Sequence, residues 1–194
     1  MTAGSLSVTQ TTLAKLDEAA TDTEATSETS ILLAPTMLRV AQMIGRALSE
    51  TAQDVVSRMN GDASQASASL IVAGQRRGGD MRMFLIYPEG NFIEATADTP
   101  YLQIGEHKYG KPILDRVVAP DTSMSDARKA VLLSMDSTLR SNLSVGMPLD
   151  LATIRKDDCA ISTMERIEDQ DPKFRQMSAD WSEALKNGFA QIES

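Results

Sequence analysis

Apolar residues recur along the chain with two different periods, and the switches between them lay out the expected elements. Leu6, Leu13, Leu16 and Ala20 fall near multiples of 3.6 and predict a first helix, with Ser5 placed to cap its free amides. The next stretch, Thr21 to Ser30, carries one apolar residue and six hydroxyl side chains that compete for backbone bonds, which predicts an exposed loop. From Pro35 the helical spacing returns at Leu38, Ala41, Ile44, Leu48, Ala52, Val55 and Met59, in steps of 3, 3, 4, 4, 3 and 4. This is the strongest helix in the sequence, started near Pro35 and stopped at Asn60-Gly61, with Arg39, Arg46, Glu50 and Asp54 on a solvated face.

The pattern then shortens. Ser67 to Gly74, Met83 to Tyr87 and Phe92 to Ala97 are short apolar runs separated by turn-rich segments, and they predict three strands in a meander. Glu106 to Val118 is helically spaced, with Pro112 within its first turns. Ser125-Asp126 opens another helix that places Ala127, Ala130, Val131, Ser134, Met135 and Leu139 on one face. Leu149 to Ile154 and Ala160 to Ile167 predict a hairpin across Lys156-Asp157-Asp158. Asp171-Pro172 starts a last helix carrying Phe174, Met177, Trp181, Leu185, Phe189 and Ile192. The order α, α, β, β, β, α, α, β, β, α predicts an α+β fold with antiparallel sheets packed against helical layers.

Composition narrows the function classes. A length of 194 residues fits one domain, 1–194, and 42% hydrophobic residues are enough for a packed core. Twenty-seven acidic against 19 basic residues give a formal charge of -8, the wrong sign for gathering phosphates, so nucleic acid is not an expected partner. The single Cys159 and single His107 exclude an internal disulfide and Cys- or His-rich metal clusters, and no metal or cofactor is expected. No apolar segment precedes Lys15, and the run Met83 to Tyr87 is far below the ~20 residues that span a bilayer, so no membrane association is expected and the cytoplasm is the expected location. Aromatic content of 4% makes for a small core that gains from subunit contacts.

Candidate chemistry is sparse. Gly105 to Pro112 matches a phosphate-binding Walker A loop except at its last position, where Pro112 replaces the hydroxyl that ligates magnesium; a nucleotide-binding module is the weakest reading. A Cys159–His107 dyad is opposed by Asp157 and Asp158, which disfavour a thiolate. Arg140 to Gly146 concentrates small hydroxyl and amide side chains, blandly a capped loop between a helix and a strand. Thr2 to Ser5 leads small residues into a helix N-terminus, where backbone amides can hold an oxyanion.

These pieces together resemble one family. The runs Phe84-Leu85-Ile86-Tyr87-Pro88-Glu89-Gly90-Asn91-Phe92-Ile93-Glu94-Ala95, Thr99-Pro100-Tyr101-Leu102-Gln103-Ile104-Gly105-Glu106, Lys108-Tyr109-Gly110-Lys111-Pro112-Ile113-Leu114-Asp115-Arg116 and Asp136-Ser137-Thr138-Leu139-Arg140-Ser141-Asn142-Leu143-Ser144-Val145-Gly146 are similar to Anbu, the bacterial proteasome-like "ancestral β subunit" family. The resemblance spans essentially the whole chain. It implies a four-layer αββα sandwich of the N-terminal-nucleophile hydrolase type, resembling a proteasome β subunit, and self-assembly with identical subunits into a ring or open ring.

The resemblance also implies a threonine-type peptidase or amidohydrolase acting on a peptide or amide substrate, and positions carry over one by one. Gly4 matches the glycine whose amide forms the oxyanion hole, and Thr2 lies where a substrate-pocket wall is expected. Ser141 and Ser144 match an Asp and a Ser that support the nucleophile's amine, Ser141 replacing a carboxylate, and Glu106 stands in place of a supporting Ser. In the family the nucleophilic Thr and its Asp and Lys partners precede a segment like Ala3 to Gln10. The chain is therefore expected to lack its first strands and its nucleophile, to continue upstream of Met1 in the coding frame, and to be inactive as written. Thr2 itself is not the expected nucleophile: it is two residues from Gly4, whereas nucleophile and oxyanion donor must converge on one carbonyl about 3 Å from each. The rival expectation is a non-catalytic, self-assembling structural subunit.

Overall fold

The computed structural model describes residues 1–58 and 66–193. They divide into two compact units, Met1–Gly105 with Ile154–Ala160, and Glu106–Thr153 with Ile161–Ser194.

In the first unit, β1 (Thr2–Gly4) runs directly into α1 (Leu6–Thr21), followed by α2 (Met37–Arg58), β2 (Ala68–Gly74), β3 (Arg82–Ile86) and β4 (Phe92–Glu94). The four strands form one antiparallel sheet in the order β1-β2-β3-β4, so β1 is an edge. Leu70 pairs with Ile86 and Val72 with Phe84, which puts Ala68, Leu70, Phe84 and Ile86 on the face that meets the helices. Helix α2 covers that face with Met37, Val40, Ala41, Ile44 and Leu48. Phe84 meets Phe92 edge-on at 5.6 Å, and Arg82 lies 4.9 Å over the Phe84 ring while clasping Glu94 through two 2.6 Å bonds. Ile71 and Leu85, on the other face, are buried as well, which is why this part of the sequence reads as unbroken apolar runs rather than as alternation.

Three departures from the sequence reading concern α1, β1 and the start of α2. The helix α1 buries Val8, Thr9, Thr12 and Leu16, whereas Leu6 is 68% and Leu13 49% exposed. The Ser5 N–H donates to Ser67 O at 2.8 Å where the chain enters the helix, and of the three leucines only Leu16 is turned inward. Ser5 occupies the cap position, but its hydroxyl lies 3.2 Å from that of Ser7 and caps no amide. Three residues are too few to show a strand period, so β1 was not anticipated. Helix α2 begins two residues after Pro35, at Met37, and Thr36 caps it, its Oγ1 accepting the Arg39 N–H at 3.1 Å. Met59 and the Asn60-Gly61 stop lie outside the described residues.

The second unit holds α3 (Lys111–Val117), α4 (Met124–Ser141), β5 (Leu149–Thr153), β6 (Thr163–Ile167) and α5 (Pro172–Ala190). β5 and β6 form the expected antiparallel hairpin, with Leu149 opposite Ile167. Those two residues and Leu132 of α4 make the core, joined by Met135, Leu139, Met147, Phe174 and Met177. Ser123 and Asp171 cap α4 and α5 through bonds from the Asp126 and Phe174 amides. α3 is shorter than expected, because residues 106–110 form turns and Gly110 packs against α4: a Cβ there would press into Ser134 and reach its carbonyl at 2.9 Å. Asp136 sits on the inner side of α4, buried although charged. It accepts from Ser178 Oγ at 2.6 Å and from Arg140 Nε at 3.2 Å, and Arg140 Nη2 donates in turn to Ser178 Oγ at 2.6 Å.

Candidate functional site

The residues that the sequence singles out fall into two groups, one in each unit. In the first unit the relevant geometry is that of β1. Met1 exchanges backbone bonds of 2.9 Å in both directions with Ile71, and Ser5 donates to Ser67, which makes the odd-numbered residues the hydrogen-bonded partners of β2. Antiparallel ladders alternate, so the N–H and C=O groups of Thr2 and Gly4 point away from β2, toward the open edge of the sheet. Gly4 has a φ of +103°, and a Cβ there would press into Ser67 O and come within 2.9 Å of Ala68 Cα. Only glycine can end the strand in this way and feed α1 immediately afterwards. The result is an outward backbone amide one residue before a helix N-terminus, where the partial positive charge of the helix favours an anion. Thr2 lies on the wall of a largely apolar cleft of about 770 Å³ that also involves Leu13, Leu16, Ile44, Leu70 and Ile71.

In the second unit, the turn before α3 and the loop after α4 meet. Glu106 Oε1 accepts the Lys108 N–H at 3.0 Å, and its Oε2 accepts the Asn142 side-chain amide at 2.8 Å. Asn142 Oδ1 in turn accepts from both the backbone N–H and the hydroxyl of Ser144, at 2.8 and 2.6 Å. Glu106 and Ser144 are thus brought together through Asn142, which the sequence reading had placed only within a capped loop. Its amide offers donors on one side and an acceptor on the other, which is what joining a carboxylate to a hydroxyl requires. The Lys108 amide holds the Glu106 carboxyl below its ordinary range, helped by the Asn142 amide and the nearby charges of Lys108 and His107. Ser141 is the last residue of α4 and is exposed, and its side chain makes no hydrogen bond among the described residues.

The turn from Gly105 to Pro112 is built differently from a phosphate cradle. The amides of Lys108, Lys111 and Ile113 are engaged by Glu106, His107 O and Gly110 O, and Lys111 Nζ pairs with Asp115 at 2.7 Å. Cys159 is exposed in the loop between β5 and β6, with a φ of +49°. Among the described residues no cluster of three His, Cys, Asp or Glu side chains is arranged to hold a metal ion, and no helix is long and apolar enough to cross a membrane.

Among the described residues, two antiparallel sheets and five helices, with Gly4 at a φ of +103° joining an edge strand to α1, define an α+β protein. No protein-family model and no curated protein matches the sequence. Solved structures do. An Anbu Gly-1 mutant from Hyphomicrobium sp. strain MC1 is 44% identical and superposes with a TM-score of 0.91, over 100% of this chain and 79% of that one. Anbu (ancestral beta-subunit) from Yersinia bercovieri is 40% identical, with a TM-score of 0.90 over 100% and 79% of the two chains. Anbu from Pseudomonas aeruginosa, solved as a helical assembly, is 37% identical, with a TM-score of 0.90 over 100% and 78%. The chain belongs to the Anbu family, and its α+β fold is the proteasome-like fold of that family.

Proposed function

We propose that residues 1–194 form one proteasome-like domain, a subunit that self-assembles with identical copies and carries the supporting part of a threonine-type peptidase or amidohydrolase site, in the cytoplasm. The Gly4 amide would receive the oxyanion of a peptide or amide carbonyl, Thr2 would line the substrate pocket, and Glu106, Ser141 and Ser144 would support the nucleophile's amine. The nucleophile is assigned to none of these residues. The observation that carries this reading is the Gly4 amide, turned outward from the edge of the sheet beside a helix N-terminus. The helical assembly of the Pseudomonas aeruginosa relative supports self-association.

An epoxyketone directed at N-terminal threonine, read by mass spectrometry, tests the chemistry. Applied to the 194-residue chain it should leave Thr2 unmodified. Applied to the protein isolated from its native cells it should give a threonine adduct if the assembled protein is a threonine-type peptidase. Absence of labelling in the native protein would favour the non-catalytic assembly subunit, a reading supported by the exposed Ser141 hydroxyl, without a hydrogen-bond partner among the described residues, where the resemblance calls for a carboxylate. Light scattering tests assembly separately, and a strict monomer of the native protein would overturn that part.

A further inference from the structure

A buried carboxylate on α4 holds an arginine at the rim of a cleft. Asp136 is 4% exposed and Ser178 of α5 is 8% exposed, and the two grip one edge of the Arg140 guanidinium through Nε and Nη2. The Arg140 Nη1 makes no hydrogen bond among the described residues, and more than half of the side chain is exposed. The cleft has a volume of about 750 Å³ and lies between the end of α4 and the start of α5. Arg175 and Asp169 line it with Arg140, and Leu139, Met147 and Phe174 give it apolar walls. Arg175 is tethered through Nε alone, which donates to Asp169 O at 3.1 Å, so its two Nη groups are unused among the described residues. Asp169 Oδ2 accepts from Gln170 Nε2 at 2.9 Å, and Oδ1 has no partner among the described residues.

We propose that this cleft binds the C-terminal residue of a short peptide: an α-carboxylate beside an apolar side chain and a backbone N–H. Unused guanidinium edges from two arginines match a carboxylate, which accepts forked pairs of N–H bonds. Charge limits the ligand to a monoanion. Asp136 and Asp169 offset Arg140 and Arg175, so the lining is neutral, and a phosphate dianion would leave a charge uncompensated. The open Asp169 oxygen calls for a donor, which a peptide N–H supplies and a fatty acid lacks. The walls call for a hydrophobic side chain. The volume falls within the ~300–1,000 Å³ of small-ligand sites, more than a single free amino acid fills. Binding there requires neither a nucleophile nor an assembled ring. Gly146 and Met147, which also line the cleft, continue the loop that carries Asn142 and Ser144, so the peptide end would rest against the same loop that holds Glu106.

Calorimetric titration of the 194-residue chain with acetyl-Ala-Ala-Leu tests the site, beside the C-terminal amide of the same peptide, free leucine and inorganic phosphate. The free-carboxylate peptide should bind saturably. The amide should bind at least about tenfold more weakly, because it removes the charge that the guanidiniums meet. Arg175→Gln should weaken the carboxylate peptide to a similar degree, and since Arg175 is exposed this variant keeps the fold, with circular dichroism as the check. Arg140→Lys, which keeps a cation beside Asp136 but loses the planar fork, should weaken it as well. Lys173→Gln removes an exposed cation that is not on the lining and should leave the affinity unchanged. No saturable binding at millimolar peptide would overturn the proposal. So would equal affinity for acid and amide, or an unchanged affinity in folded Arg175→Gln. Free leucine binding as tightly as the peptide would overturn the peptide assignment, and phosphate binding more tightly would overturn the monoanion assignment.

Discussion

Single side chains reveal where backbone and burial leave no alternative. Gly4→Ala would force a Cβ toward Ser67 O at a φ of +103°, and we expect a loss of about 1–3 kcal/mol, measured by urea unfolding. The same variant should disturb the amide that the proposed chemistry uses, so loss of stability and loss of any activity are expected together. Thr12 gives the opposite case. It is fully buried in α1, and its hydroxyl has no partner among the described residues, so Thr12→Val keeps the shape and removes an unsatisfied polar group. Stability should rise by about 1 kcal/mol, seen as a higher urea midpoint at unchanged slope. Gly4 was legible as a candidate from the resemblance, but the orientation of its amide was not. That direction follows from the ladder phase, set by Met1 and Ser5 pairing with Ile71 and Ser67 some 60 to 70 residues away. Asn142 was missed as a connector for the same kind of reason: its partner Glu106 is 36 residues distant and no local pattern marks the pair.

Among the elements, α2 and α4 show how far periodicity reaches. Both helices appear where apolar spacing put them, because a stripe at 3.6 residues can be buried only by a helix. Their contact details needed the neighbours. Gly45 lies on the buried side of α2 against the turn between β3 and β4, where Gly90 has a φ of +88°; a Cβ on Gly45 would press into Gly90 O and approach its carbonyl carbon at 3.1 Å. Gly45→Ala should therefore cost about 1–3 kcal/mol by overpacking, despite the higher helix propensity of alanine. Chemical denaturation compared with Gly188→Ala, near the open end of α5 where an added Cβ meets nothing within 4 Å, makes the contrast, and the second change should be neutral or stabilising. In α4 the buried Asp136 contradicts any simple apolar stripe. Ser178 and Arg140 satisfy it, tying α4 to α5, and Ser178→Ala should destabilise by about 1–3 kcal/mol by leaving a buried carboxylate short of a donor.

For the whole molecule, the acid response is set by carboxylates held below their ordinary values. Glu94 is lowered chiefly by its bond from Arg82, Glu106 by the Lys108 amide, and Asp126 by the bond from Lys129, from ordinary values of 4.5, 4.5 and 3.8. In this window the unfolded chain binds more protons than the folded one, so stability rises with pH through it. The contribution is complete above the ordinary values and is lost as pH falls through the lower folded ones. The groups are largely exposed, so the effect should be modest and shrink in added salt. Urea midpoints should stay level above about pH 5.5 with respect to these groups and fall below about pH 4, and Glu94→Gln should flatten part of the fall.

The amino-acid order alone determined the class of fold and nearly all of its elements, because each element must bury its own apolar positions and those positions recur at the period of the element. It also determined the acidic surface and the long motifs shared with the Anbu family. Tertiary structure decided the rest: which side of α1 turns inward, the strand phase that aims the Gly4 amide outward, the meeting of Glu106 with Ser144 through Asn142, and the bare apolar end of α5. Periodicity fixes that a face is apolar. Whether that face is covered, and which way an amide points, depends on residues far away in the chain whose approach no local pattern encodes.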